Sequence, residues 1–181
     1  IDLVYAADYL GSLWRMETNN DPNPSNWSTT KLYAGTEFIT ADPVASYGPN
    51  GDVYIYLGSG AYLEEADMVT TGQQSFFCIF DNHSGMTYNK RDLQNQTRGI
   101  SGVTADNGWY VELWSELGER VTEQAVVVAE TVIFTSFAPT LDACVAGGNS
   151  YLYQMKYDDG GLSEGQENPD DRVVSLGEGI A

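Results

Sequence analysis

Residues 1–18 read IDLVYAADYLGSLWRMET, and this stretch decides the fold prediction. An apolar strand, a glycine-containing turn at residues 8–11 and an aromatic second strand follow one another, which is the pattern of a β-hairpin. The stretch opens inside its first strand. We therefore expect Ile1 to lie at a cut edge within a longer β structure.

The same pattern recurs twice further along the chain. The second hairpin pairs DVYIYLGSGAYL (52–63) with QQSFFCIFDNHSG (73–85), and the third pairs ETVIFTSFAP (130–139) with NSYLYQMKYDDGG (149–161). Extended segments before the last two hairpins, at 37–48 and 119–130, predict opening strands. Residues 31–35 and 86–94 are predicted as closing strands.

Repeats of roughly 40–50 residues are typical of β-propeller blades, each a four-stranded antiparallel sheet that needs neighbours to bury its faces. We therefore predict an all-β fold in which residues 1–181 form about three blades. A closed ring needs about four or more blades, so the chain would cover only part of a ring. Residues 95–118 are predicted as an inserted excursion, and the polar, glycine-rich residues 160–175 as a flexible segment.

The chain is strongly acidic, with 26 Asp and Glu against 8 Lys and Arg and a formal net charge of -18. Such a surface repels phosphate backbones, which argues against nucleic acid as a partner. No apolar run is long enough to span a membrane. Two interpretations of the acidity stay open: a solvated, secreted surface, or carboxylates that collect hard cations such as calcium.

Side chains for catalysis are scarce. His83 is the only histidine, it lies in the polar turn 81–85, and no glycine-flanked nucleophile elbow occurs. One histidine and two distant cysteines, Cys78 and Cys144, cannot supply a zinc site. We predict that the chain is not an enzyme, that Glu119 and Arg120 pin a loop, and that the cysteines are either one disulfide or two buried thiols.

Calcium is the better metal candidate from composition. Asp2 stands directly before the first strand, where a calcium loop could end. Three further acidic groups are predicted to be solvated rather than ligating: Glu64, Glu65 and Asp67; Asp158 and Asp159; Asp170 and Asp171.

Six motifs in register carry a family resemblance. They are VYAADYLGSLWR (4–15), FITADP (38–43), YIYLGSGAY (54–62), QSFFCIFD (74–81), GWYVEL with GERV (108–113 and 118–121), and a last motif from Val132 through Pro139, Cys144 and Gly147-Gly148 to Met155. By these motifs the chain resembles the C-terminal β-propeller of the PilY/PilC family, the type IV pilus tip-associated adhesins and biogenesis factors. It departs from the family pattern at Ala7, Glu37 and Cys78.

The resemblance implies a calcium loop immediately before the first strand. Asp2 would be its final carboxylate, and the other ligands would precede Ile1, so the calcium site is expected to be incomplete in this chain. Because Cys78 stands where the family has glycine, the resemblance also raises a disulfide with Cys144 on a neighbouring blade.

The resemblance further implies a non-catalytic, secreted module at the pilus tip, on the cell surface or outer membrane. It would act in surface attachment and in calcium-linked control of pilus extension and retraction. The expected partners are minor pilins, a host or abiotic surface, and the remaining blades of the same propeller. Two alternatives stay open: a quinoprotein-type dehydrogenase propeller, and a lectin-like module in which Trp27 or Trp114 stacks on sugar.

Overall fold

The computed structural model describes residues 2–48, 51–100, 105–140 and 147–179. Within these residues the chain forms three β-sheets joined by loops and four short 3-10 turns. Nearly all strand pairs are antiparallel, so the predicted all-β, antiparallel class is confirmed.

The first sheet has the order β1-β2-β3, with β1 Leu3–Ala7, β2 Ser12–Glu17 and β3 Ser28–Ala34. Leu3 pairs with Glu17 and Ala7 with Leu13, so the hairpin predicted from residues 1–18 is confirmed. The strand β3 contains most of the closing strand predicted at 31–35.

The second sheet has five strands in the order β4-β5-β6-β8-β7. They are β4 Val44–Tyr47, β5 Val53–Gly58, β6 Ser75–Asp81, β7 Gln94–Asn95 and β8 Gly108–Glu112. The opening strand predicted at 37–48 is confirmed only for its second half, where β4 lies. The closing strand predicted at 86–94 is wrong, because that segment forms an isolated bridge at Tyr88 and a 3-10 turn at Lys90–Asp92. The strand that pairs with β6 on the side away from β5 is β8, which comes from within the predicted excursion.

The third sheet is a four-stranded antiparallel unit of the predicted kind. Its order is β12-β11-β10-β9, with β9 Val126–Val128, β10 Thr131–Pro139, β11 Gly148–Lys156 and β12 Val173–Glu178. The 3-10 turn Pro169–Arg172 and the start of β12 fall inside residues 160–175, the segment predicted to be flexible.

The second sheet lies between the other two and buries residues on both of its faces. On β5, Ile55 and Leu57 belong to a core shared with the first sheet, which contributes Leu13. Their neighbour Tyr56 belongs to a second core shared with the third sheet, which contributes Phe134. This alternation follows from the two-residue period of a strand, and it explains why β5 and β6 are apolar at almost every position.

Candidate functional site

Asp2, the predicted metal ligand, is exposed directly before β1. Its backbone carbonyl accepts a hydrogen bond from Thr18 N–H at 2.9 Å, which ties the start of β1 to the end of β2. Within the described ranges, no three His, Cys, Asp or Glu side chains are grouped so that they could hold a metal. Calcium takes about six to eight oxygen ligands. Among the described residues, Asp2 therefore belongs to no such group and contributes a single carboxylate.

The other acidic candidates stabilise their own turns. Asp67 and Asp171 each accept two backbone N–H groups at the start of a 3-10 turn, and these bonds lower the pKa of both carboxyls. Lys156 forms ion pairs with Asp158 and Asp159. In each of the three acidic turns, at least one carboxylate therefore bonds to a group in its own turn.

Two family motifs, YIYLGSGAY and GERV, meet at one end of the sheets. A Cβ placed on Gly58 would stand 2.3 Å from Val121 Cβ, and one on Gly60 would stand 2.3 Å from Arg120 Cβ. Gly60 also has φ +120, a conformation that side chains rarely adopt. The N–H of Val121 donates to the Ser59 carbonyl at 2.9 Å. The glycines are therefore needed because the side chain of Val121 and the Cα and Cβ of Arg120 lie directly against them.

Arg120 is buried, and its guanidinium fixes the loop between β5 and β6 as predicted. It donates to the carbonyls of Ala61 and Asp67 at 2.7 Å and to that of Thr70 at 2.9 Å. Its backbone pairs with Phe137 of β10 through N–H to carbonyl bonds in both directions. Burial lowers the pKa of this arginine. One residue thus holds the 61–70 loop of the second sheet against the third sheet.

Glu119, beside it, is buried and accepts four hydrogen bonds. Ser136 Oγ donates at 2.5 Å and Tyr153 OH at 2.6 Å to Oε1, while the backbone N–H groups of Ser115 and Glu116 reach Oε2. Burial and the nearby Glu119 carboxylate raise the pKa of Tyr153. This carboxylate is satisfied by donors on β10, β11 and the preceding loop, so its role is structural, as predicted.

A buried ion pair joins the first and second sheets. Arg15 Nη1 contacts Asp81 Oδ1 at 2.6 Å, and Tyr5 OH donates to Asp81 Oδ2 at 2.9 Å. His83 donates its backbone N–H to Asp81 Oδ1, and its Nδ1 lies 3.1 Å from Arg15 Nη1. The only histidine therefore belongs to a structural contact between sheets, which the sequence did not indicate.

A third buried arginine, Arg172, lies in the segment predicted to be flexible. Its guanidinium donates to the carbonyls of Gln96, Thr97 and Gly160, and it lies 5.0 Å from the ring of Trp114. The side chain is fully buried. It fastens the 96–99 loop of the second sheet to the 157–172 connection of the third, and no local sequence signal indicates this role.

The two tryptophans considered as sugar platforms differ in the structure. The Trp114 ring forms a T-shaped contact with Tyr153 at 5.1 Å and has the Arg172 guanidinium 5.0 Å from its centre, so it is partly covered by protein. Trp27 is exposed and borders a cavity next to the loop between β2 and β3.

Cys78 is fully buried in the core between the second and third sheets and forms no disulfide with any described residue. Its Sγ lies 3.9 Å from the carbonyl oxygen of Tyr157, and burial raises its pKa well above the usual value for cysteine. Cys144 lies outside the described residues, so a disulfide between the two remains a prediction.

The stacked antiparallel sheets define an all-β module, and the buried arginines bind the loops that connect the strands.

No protein-family model matches the chain. Two curated relatives from Xylella fastidiosa (strain Temecula1 / ATCC 700964), each described as a type IV pilus biogenesis factor PilY1 homolog, are 24% and 25% identical over 204 and 186 residues. Those similarities cover 93% and 88% of this chain but 14% and 15% of the relatives.

A solved structure has the same fold. The crystal structure of the Pseudomonas aeruginosa PilY1 C-terminal domain matches with a TM-score of 0.70 at 19% identity, over 98% of this chain and 51% of that domain. These similarities confirm the resemblance to the PilY/PilC family that the motifs indicated. The chain spans about half of the solved domain and about one seventh of the curated relatives. In the described ranges, no helix has the length and apolar character to cross a membrane.

Proposed function

We propose that this chain is part of a type IV pilus biogenesis factor and acts there as a non-catalytic module at the cell surface. The observation that carries the proposal is its similarity, over 93% of its length, to a protein described as a PilY1 homolog. In this role the sheets are a scaffold, and the loops at their ends make the contacts with minor pilins or with the surface to which the cell attaches.

The sheet arrangement supports the proposal of a partial β-propeller. The second sheet has a neighbour on each face, as an inner sector of a ring would. The outer face of the third sheet carries several apolar side chains beside polar ones such as Gln154 and Lys156, and no other described sheet covers it. Its paired residues Val126, Val128, Ile133, Leu152 and Val174 face away from the core, and both Val126 and Val128 are 55% exposed. Further sectors of the same propeller would bury this face.

A surface for contact with partners lies at the end of the sheets that Arg120 organises. Tyr9 and Phe38 stack with ring centroids 4.6 Å apart while remaining about half exposed. The N–H of Gly60 donates to the Phe38 carbonyl at 2.7 Å, which joins this pair to the 61–70 loop. That loop carries the exposed Leu63. Exposed apolar side chains on a fixed loop are typical of protein contact sites.

Calcium-linked control of extension and retraction is part of the same proposal. Asp2 would contribute a single carboxylate, and residues N-terminal to Ile1 would supply the other ligands. The exposed position of Asp2 and its backbone tie to Thr18 suit a ligand at the edge of the first sheet.

Deletion of the gene in its own organism tests the proposed role. Surface pili are measured by immunoblot of sheared pilin, with the total cellular pilin as the control for expression. We expect the sheared fraction and attachment to fall while the total pilin is unchanged, and the intact gene to restore both. Normal amounts of sheared pilin and normal attachment in the deletion strain would refute the pilus role.

A further inference from the structure

The strongest unassigned site is a cavity beside the loop that joins β2 and β3. Its volume is about 380 Å³, and it is lined by Val4, Thr18, Asn20, Asp21, Pro22 and Trp27. One part of the lining is apolar, formed by Val4, Pro22 and the indole ring. The other part carries hydroxyl, amide and carboxylate groups. Pockets that combine a flat apolar wall with a few polar groups orient small polar ligands.

Trp27 is held in position and remains accessible. Its indole N–H donates to the Asp21 carbonyl at 2.7 Å, and its backbone N–H donates to the Pro24 carbonyl at 3.2 Å. The side chain is nevertheless 37% exposed. Because the ring is already oriented in the free protein, little conformational entropy is lost when a ligand stacks on it.

Asp21 is oriented by the same loop. Its Oδ1 accepts the Asn23 N–H at 2.8 Å and its Oδ2 accepts the Asn26 side-chain amide at 2.6 Å. These bonds lower the pKa of the carboxyl, so it is ionised at neutral pH. A carboxylate oxygen has two lone-pair directions, which leaves one on each oxygen to accept a hydrogen bond from a ligand.

The adjoining turn is also set by local chemistry. Asn19 and Asn20 adopt left-handed conformations with φ of 51 and 54, a region in which asparagine is enriched. The Asp21 N–H donates to the Thr18 carbonyl at 2.8 Å and closes the turn. Hydrogen bonds within the loop therefore fix the position of the residues that form this wall of the cavity.

We propose that this cavity binds a neutral saccharide, with the apolar face of one pyranose ring stacked on Trp27 and its hydroxyl groups hydrogen-bonded to Asn20 and Asp21. The indole supplies a broad apolar platform with a polar edge. An acidic sugar is disfavoured because the Asp21 carboxylate and the formal net charge of -18 repel it. The inference does not depend on the pilus role.

The test uses the 181-residue chain on an array of neutral and acidic glycans, followed by calorimetric titration of the neutral glycan that binds most strongly. We expect binding to neutral glycans, a loss of about tenfold or more in affinity for Trp27→Ala, and a smaller loss for Trp27→Phe, which retains a flat ring. Asp21→Asn is expected to weaken binding because it replaces one acceptor oxygen by a donor.

Tyr47→Ala is the matched control, because it removes an aromatic ring that is 81% exposed on β4 and is not among the residues that line the cavity. It should bind the glycan as the unmodified chain does, and the thermal unfolding of every variant is measured to exclude loss of fold. An array without neutral-glycan binding would overturn the proposal. Equal affinity of Trp27→Ala and the unmodified chain would also overturn it, whether or not the pilus role holds.

Discussion

Gly58 and Val121 are in such close contact that a side chain at residue 58 has no room. A Cβ added to Gly58 would stand 2.3 Å from Val121 Cβ and 2.4 Å from Cγ1. The two residues belong to different family motifs, more than sixty positions apart, and one ends a strand of the second sheet. The glycine is therefore explained by packing between sheets, and Arg120, next in sequence to Val121, is positioned by the same contact.

Gly58→Ala should destabilise the fold by about 1–3 kcal/mol, the usual cost of forcing a methyl group into a well-packed site. The change in the free energy of unfolding is measured by urea denaturation, with tryptophan fluorescence as the signal. Gly72→Ala is the matched control from the same β5–β6 connection, because its nearest neighbour would be the flexible Gln74 amide at 3.8 Å. If the two variants were equally stable, the contact with Val121 would leave room for a side chain at residue 58.

Arg120→Lys should loosen the 61–70 loop. A lysine keeps the charge but cannot reach the carbonyls of Ala61, Asp67 and Thr70 together, because it lacks the planar fork of donors. Because buried acceptors are left unpaired, the free energy of unfolding should fall by about 3 kcal/mol. Hydrogen exchange should rise in residues 61–70 specifically. The control, Arg98→Lys, changes an exposed arginine and should leave exchange there unaltered; an identical exchange pattern in both variants would contradict the pinning role.

The sequence predicted correctly the features that depend on residues close together in the chain. The hairpins, the opening strands β4 and β9, and the closing strand β3 follow from alternating apolar residues and glycine turns. The error at 86–94 has a local origin too. Lys90–Asp92 forms a 3-10 turn in which Asp92 accepts hydrogen bonds from Asn89, so polar residues that could alternate in a strand instead close a turn.

Long-range side-chain contacts could not be predicted in this way. Arg15 and Asp81 are 66 positions apart, and Arg172 binds carbonyls about 75 positions away, with no spacing rule to connect them. Glu119 and Arg120 were identifiable because an acid and an arginine are adjacent in a conspicuous turn. The exposure of Trp27 also depends on the tertiary arrangement. The sequence alone does not indicate which of Trp27 and Trp114 is the more exposed.

Arg172→Lys should make the connection between β11 and β12 sensitive to proteases. In the folded chain the guanidinium holds this connection by bonds to Gln96, Thr97 and Gly160, which lysine cannot make together. Limited proteolysis with mass-spectrometric identification of the cuts should find residues 160–172 resistant in the unmodified chain and cleaved in the variant. Rapid cleavage of the unmodified chain at these residues would instead support the flexible segment predicted from composition.

Calcium binding should require residues N-terminal to Ile1. The 181-residue chain should give no binding heat with calcium, since Asp2 belongs to no metal-binding group in the described ranges. A longer form that includes the preceding residues should bind calcium, and Asp2→Ala should weaken that binding. Asp42→Ala, which removes another exposed carboxylate, is the control. Binding by the short chain, or none by the longer form, would be inconsistent with the calcium proposal.

Buried tyrosines should make the fold unstable in alkali. Burial raises the pKa of Tyr54 to about 12, and it also raises the pKa of Tyr56 and Tyr33. Because tyrosine in an unfolded chain has a pKa of about 10, the unfolded chain loses these protons first. Their contribution to stability is therefore complete below about pH 10 and is lost as the pH rises through the folded values.

Tyr54→Phe isolates one such group, because its ring stacks on Phe80 at 4.9 Å and no described hydrogen bond involves its hydroxyl. The free energy of unfolding, measured in urea from neutral pH to about pH 12, should fall less steeply in this variant. The difference should stay below about 1.4 kcal/mol per pH unit, the limit for one proton, since the ring is partly exposed and solvent screens it. Tyr47→Phe, at an exposed position, is the control. If the free energy of unfolding fell equally steeply with pH in Tyr54→Phe and in the unmodified chain, burial of this phenol would not contribute to the alkaline loss of stability.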